Sequence, residues 1–388
     1  MRSSSSVLTA AAGAGKTNVR EQVECNGDPM TSDECARRTG GPNLERTLRL
    51  AALPVTLLLS GCAGVQSAMS PFGVEAAATA RLTWVMVAGA VLISVAVAAL
   101  VVRAVRAPEG SLSHSGGMSL ILWAGAIGPT IILFGLLITA LPMMRQLPVA
   151  PNDLTIAVGG EQFWWRVQYR PTGAPPVEDA NLVRVPVGRT VRILLTSPDV
   201  IHSFWVPGLA GKVDMIPGRT NTLVVRATKA GTYRGQCTEF CGLAHAKMAF
   251  DVVAMEPRAF DAWLVQARTP TRLSSPAQAG ALTPPLHPGP GLRRGTEGAA
   301  PSGQALYTSY GCAGCHAIRG AGGRIGPDLT LLPQRRSLAA ATLPLNPATL
   351  AAFIRNPQSV KAGVLMPRFA EMSDAEARAI AAYLLEPK

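Results

Sequence analysis

The stretch GQCTEFCGLAHAKM, residues 235–248, decides how the rest of the chain is read. It places Cys237, Cys241, His245 and Met248 within twelve residues. A zinc site uses tighter pairs and closes a tetrahedron with thiolates and imidazoles. Here a thioether joins the set, which favours copper. Upstream, TSPDVIHSFWVPGL supplies His202 at a strand end. Two thiolates, two imidazoles and a methionine sulfur exceed the needs of one blue-copper ion, which takes two His, one Cys and a weak Met. The set suits two coppers bridged by both thiolates. Spreading charge over two ions in a rigid loop keeps reorganisation small in one-electron transfer. The loop shows no open substrate position, so it reads as a wire rather than a reactor.

A second motif lies downstream, SYGCAGCHAIRG, with Cys312, Cys315 and His316. Two cysteines spaced by two residues can add to the two vinyl groups of a haem, and the next histidine then sits under the iron. A sixth ligand is expected from a downstream methionine. Met366 in VLMPRF is preferred to Met372, because Met-Pro resembles the ligand of small c-type cytochromes. Gly326-Pro327-Asp328-Leu329 resembles the turn whose proline carbonyl accepts the proximal histidine N–H, which would fix the ring. His287, between prolines, reads as an exposed loop histidine.

Around these motifs the chain divides. It has 388 residues, 48% of them hydrophobic, with 38 glycines and 31 prolines. That suits small tethered modules joined by linkers. The net charge of +12 is scattered arginine, without a basic block interleaved with aromatics, so nucleic-acid binding is excluded as a reading. Of seven cysteines, four lie in the two motifs, Cys62 closes a signal-like segment, and only Cys25 and Cys35 remain, which argues against a disulfide framework. Residues 1–61 read as an N-terminal extension, polar over 1–45 with Met30 as another start, together with a secretory signal in LRLAALPVTLLLSGCAG (48–64). Its apolar run is shorter than the roughly 20 residues a span needs. Leu59-Ser60-Gly61-Cys62 resembles a bacterial lipobox, which implies cleavage before Cys62 and lipidation of its sulfur.

Residues 82–102 and 118–144 are expected to cross the membrane, the second kinked at Pro129. Arg103 and Arg106 favour a cytoplasmic loop between them, so both ends lie outside. Residues 151–267 carry short β-branched runs between Gly, Pro and Asp turns, which suggests a Greek-key sandwich or barrel. Residues 268–300 read as a flexible linker, and 301–388 as helical, with Ser373 and Glu376 forming a capping box.

The loop, His202 and the intervening KVDMIPGRTN together resemble subunit II of haem–copper cytochrome c oxidases, over residues 82–267. The resemblance implies a multidomain chain: a transmembrane hairpin, an all-β cupredoxin-like Greek-key domain with a dinuclear CuA centre, and a small all-α cytochrome c domain. It implies that Cys237 and Cys241 bridge the coppers, that His202 and His245 each bind one, and that Met248 and the Glu239 carbonyl are weak ligands. The Glu239 carboxylate would reach a Mg²⁺ or Mn²⁺ at the catalytic subunit. The sequence departs from the family twice. Gln162-Phe163-Trp164-Trp165 has phenylalanine where the family has its electron-accepting tryptophan, and at least one of Trp164 and Trp165 reads as core. No carboxylate lies near Trp123 to open a proton path, and Glu109 and His114 read as loop surface.

The expected function is the subunit through which electrons enter a terminal oxidase. They would pass from haem c to CuA and on to a catalytic subunit that reduces oxygen. A tethered donor gains effective concentration without new contacts. Expected partners are catalytic subunit I, subunit III, the membrane, and a periplasmic cytochrome c or cytochrome bc complex as donor. The expected location is the bacterial inner membrane, with both cofactor domains on the periplasmic face. The alternatives are a nitric oxide reductase subunit bearing CuA, and a copper-carrier lipoprotein, against which the haem motif argues.

Overall fold

The computed structural model describes residues 22–25, 28–31, 64–268 (save 109, 112, 146 and 152) and 301–387. Cys62, Cys35, Glu109, His287 and the tether lie outside them. Residues Met1–Cys62 form a unit of their own, in which β1 (Gln22–Cys25) and β2 (Asp28–Thr31) pair antiparallel.

In the second unit, two helices are long and apolar enough to cross a membrane, α1 (Val74–Arg106) and α2 (His114–Met144). Their apolar side chains are exposed within the chain, as lipid-facing surface requires. The helix begins eight residues before the expected start of the span at Leu82, because EAAATAR continues a good helix former and buries Ala76 and Ala80. Ahead of Pro129, α2 widens into a π-turn over Ile121–Ile127, in which Gly128 N–H donates to Trp123 O. Proline lacks an N–H and its ring crowds the preceding turn, which accounts for the widened turn ahead of it.

The β-domain is a sandwich of two five-stranded sheets. The strands are β3 (Leu154–Glu161), β4 (Trp164–Arg170), β5 (Val177–Ala180), β6 (Leu182–Pro186), β7 (Val191–Thr196), β8 (His202–Trp205), β9 (Val213–Met215), β10 (Asn221–Val225), β11 (Gly231–Cys237) and β12 (Ala249–Met255). One sheet runs β10-β7-β3-β4-β5 and the other β6-β12-β11-β8-β9. Strands β3 and β4 alternate buried and half-buried residues, as strands with one face on a core do. Trp165, Phe204 and Phe250 meet at ring distances of 4.7–5.8 Å in the core between the sheets. The strand pattern did not anticipate the helix α3 (Pro257–Arg268), which packs Phe260, Trp263 and Leu264 against this core. The segment leading into α1 is fastened to the sandwich: Phe72 stacks on Tyr233 at 3.4 Å, and the Phe72 and Gly73 N–H groups donate to Gly208 O.

The C-terminal domain packs α4 (Gly303–Ser309), α5 (Pro347–Arg355) and α6 (Asp374–Leu385) around Leu350, Ile354, Ile380 and Leu384. The capping box at Ser373 and Glu376 forms as expected, and Asn346 with Thr349 makes a second.

The two domains rest on one another. Asp179, 1% exposed, takes Arg184 from its own domain at 2.7 Å and Arg335 from the C-terminal domain at 2.9 Å. Trp263 donates to Gln334 Oε1 at 2.9 Å. Ala339, Ala340 and Ala341 form a left-handed turn, with φ of 53°, 56° and 56°. L-residues pay about 1–2 kcal/mol each for that conformation. The turn aims carbonyls outward: Ala340 O accepts from Ala249 N–H and Ala341 O from Arg234.

Candidate functional site

Strands β8 and β11 pair with Cys237 opposite Phe204, which brings His202 and Cys237 to the same end of one sheet. The chain then loops through residues 238–248 and closes where Cys237 N–H donates to Met248 O at 2.9 Å. Every expected ligand of the first motif converges here. The Cys237 and Cys241 sulfurs lie 3.9 Å apart. His202 Nδ1 is 3.8 Å from Cys237 Sγ, His245 Nδ1 is 3.5 Å from Cys241 Sγ, and Met248 Sδ is 3.7 Å from Cys241 Sγ. The Glu239 carbonyl stands 3.2 Å from Cys237 Sγ, while its carboxylate faces solvent.

The electrostatics suit a thiolate site. The bond between the two thiols, against burial, holds Cys237 well below the ordinary thiol range, and the same bond pushes Cys241 up. Burial acts to lower the pKa of His202, but its bonds to Cys237 and Asp199 outweigh that and raise it. Asp199 Oδ1 sits 2.8 Å from His202 Nε2, which leaves Nδ1 toward the sulfurs. Gly160 is required beside it, since a Cβ there would stand 2.9 Å from the imidazole. Soft sulfur and imidazole donors, buried except for the half-buried His245, fit copper.

The second motif lines a cavity that is partly open to solvent. Cys312, Cys315, His316 and Met366 all face it. Met372 instead is 1% exposed in the helical core and does not line the cavity. His316 Nδ1 bonds Pro327 O at 2.8 Å, as the Gly-Pro-Asp-Leu turn suggests, which frees Nε2. Gly326 permits this approach, since a Cβ there would lie 2.5 Å from the ring. An apolar cavity with two cysteines and an axial pair fits a haem.

Residues of the β-domain close one wall of this cavity: Gln162, Phe163, Trp164 and Asn181. The side chain of Gln162 donates to Cys241 O at 2.5 Å, and its backbone N–H donates to Asp199 Oδ2 at 2.7 Å. The two adjacent tryptophans have different places. Trp165 is fully buried in the sandwich core, whereas Trp164 lines the cavity under Arg166 at 4.7 Å. Sequence reasoning quoted Gln162 without giving it a role, and missed Asp199 and Lys361, the latter a lining residue of the cavity. Of these only Asp199 carried a signal, a carboxylate three residues before a ligand histidine.

A family model described as cytochrome C oxidase subunit II, periplasmic domain, matches residues 174–255, and a cytochrome c model matches residues 300–387. Cytochrome c oxidase subunit 2 of Alkalihalophilus pseudofirmus is 36% identical over 236 residues, which cover 61% of this chain and 62% of that protein. The subunit 2 of Branchiostoma floridae is 35% identical over 157 residues, covering 35% of this chain and 67% of that protein. Among solved structures, the periplasmic domain of subunit II of the Bradyrhizobium japonicum cytochrome oxidase is 34% identical, covering 31% of this chain and 96% of that one, with a TM-score of 0.29. The chain spans 62%, 51% and 60% of the length of the first three curated relatives it matches.

Proposed function

The chain belongs to the cytochrome c oxidase subunit II family and carries a cytochrome c domain, and from that premise we propose that it receives electrons for a haem–copper oxidase. When bound, haem c and dinuclear copper supply one-electron carriers through which this chain would feed a catalytic subunit that reduces oxygen. Cys237, Cys241, His202, His245, Met248 and the Glu239 carbonyl would hold the copper pair. Cys312 and Cys315 would attach the haem covalently, with His316 and Met366 as axial ligands. The exposed Glu239 carboxylate is the candidate for a Mg²⁺ or Mn²⁺ shared with subunit I. Subunit III, a periplasmic donor and an inner-membrane location with lipidated Cys62 complete the reading.

One observation carries it. Gln162 lines the haem cavity and bonds the backbone of the copper ligand Cys241. A single residue therefore joins the two candidate sites, and Phe163 stands beside it where the family has its tryptophan. The docked domains hold this wall shut, so the donor is fixed in place rather than merely tethered.

The test uses the full chain matured with haem and loaded with copper. Optical spectra should show one covalent c-type haem, and electron paramagnetic resonance one unpaired electron shared over two copper nuclei. A single-copper signal, or copper lost to a mild chelator, overturns the dinuclear assignment. Oxygen or nitric oxide consumption by membranes carrying the chain then separates the two acceptors.

A further inference from the structure

The haem cavity has two buried cationic side chains in its wall, Arg335 and Lys361, and no carboxylate among its described lining residues. Arg335 is matched, by Asp179 and by the Asp328 carbonyl at 2.6 Å. Lys361 is not. It is 2% exposed, and its ammonium donates to a neutral group, the Phe163 carbonyl across the domain boundary. Among the described residues no ion pair reaches it. The charged groups that bear on it are the like charge of Lys247, which bonds Val360 O from the copper loop, and the Cys241 sulfur. Burial draws its pKa down to about 7, opposed only by Cys241. A buried charge left uncompensated costs several kcal/mol, which is why such groups are paired.

The missing anion has an evident source. Haem brings two carboxylates into an apolar cavity whose wall, among the described residues, supplies none. We propose that Lys361 pairs with a haem propionate while it holds the Phe163 carbonyl, so that one ammonium fastens both the cofactor and the copper domain. This rests on the haem reading given above. It makes Lys361 a haem-binding residue five positions before Met366, the expected axial ligand.

The experiment uses the full chain, matured with haem, as wild type, Lys361→Arg, Lys361→Gln and Lys361→Met. Resonance Raman reads the haem propionate bending mode, and redox titration reads the haem midpoint potential. Lys361→Gln, which keeps a donor for the Phe163 carbonyl, is expected to displace the propionate mode and lower the midpoint, because loss of a nearby positive charge favours ferric haem. Lys361→Met should do the same, and Lys361→Arg should hold the midpoint and displace the mode less. An unmoved propionate mode in Lys361→Gln overturns the pairing and leaves Lys361 as a docking pin. If the two uncharged variants do not mature, Lys361→Arg decides: exchange of ammonium for guanidinium moves a paired mode and leaves an unpaired one in place. A wild-type chain without covalent haem is a separate result, which overturns the functional reading itself.

Discussion

The copper loop and the haem cavity solve the same problem, holding a redox metal, by opposite means. The expected copper ligands come from one continuous loop and one paired strand, and their sulfur and nitrogen atoms stand within 3.9 Å of a neighbour. Local sequence builds that site. The haem ligands span Cys312 to Met366 around a wide cavity, and one wall belongs to another domain. The difference teaches that the first site is a property of the loop, while the second is a property of the docking.

Substituting a bridging thiol should break the comparison most sharply. Cys241→Ser removes one of two sulfurs and the partner of Met248 and His245, so dinuclear copper is expected to be lost entirely while the haem spectrum stays. Electron paramagnetic resonance and the optical haem bands read the two sites separately. Loss of both signals would show that the sites are not independent.

The converse experiment attacks the docking. Asp179→Asn leaves the buried guanidinium groups of Arg184 and Arg335 without their carboxylate. Breaking a buried pair in this way costs about 3–5 kcal/mol. The expected result is a haem domain that unfolds or detaches at lower temperature, followed by calorimetry and limited proteolysis, with the copper signal retained.

A milder change sharpens the picture at the copper end. Asp199→Ala frees the His202 ring, and loss of such a carboxylate–histidine partner weakens metal binding about 10–100-fold. Competition with a copper chelator measures it. Smallest of all, Ala340→Gly should stabilise the C-terminal domain by about 1 kcal/mol, because glycine adopts the left-handed turn without a steric penalty. Thermal unfolding tests it, and a loss of stability would mean that the alanine methyl packs in a way that outweighs the strain.

These contrasts also explain what could be read in the sequence. Cys237, Cys241, His245 and Met248 stood out as candidate copper ligands because they lie close in sequence, and soft donors at that spacing have few other uses; His202, 35 positions before Cys237, was added only through them. Cys312, Cys315 and His316 were legible for the same reason. Met366 was chosen over Met372 by its following proline; in the structure Met366 lines the cavity and Met372 is buried in the helical core. Trp164 and Trp165 could not be told apart in advance, since neighbours in a strand face opposite ways and only the register decides which face is core. The Asp179–Arg335 pair spans 156 positions and left no local trace. Nor did Lys361, one scattered basic residue among 36 until folding buries it. The helix α3 did leave a trace, Phe260, Trp263, Leu264 and Ala267 at helical spacing, which the run of strands before it obscured.

The junction between α1 and the sandwich has a mechanical meaning. Phe72 and Gly73 are hydrogen-bonded to Gly208, Val74 donates to Arg226 O, and Thr228 donates to Phe72 O, so no loose hinge separates helix from sheet. The helix is then a rigid mast and the β-domain its fixed head. Any tilt of the mast swings the copper loop as one body, with the docked haem domain carried along. The height and heading of both redox sites are thus set by a single rod and its footing, and one inserted residue between Gly73 and Val74 would turn them together.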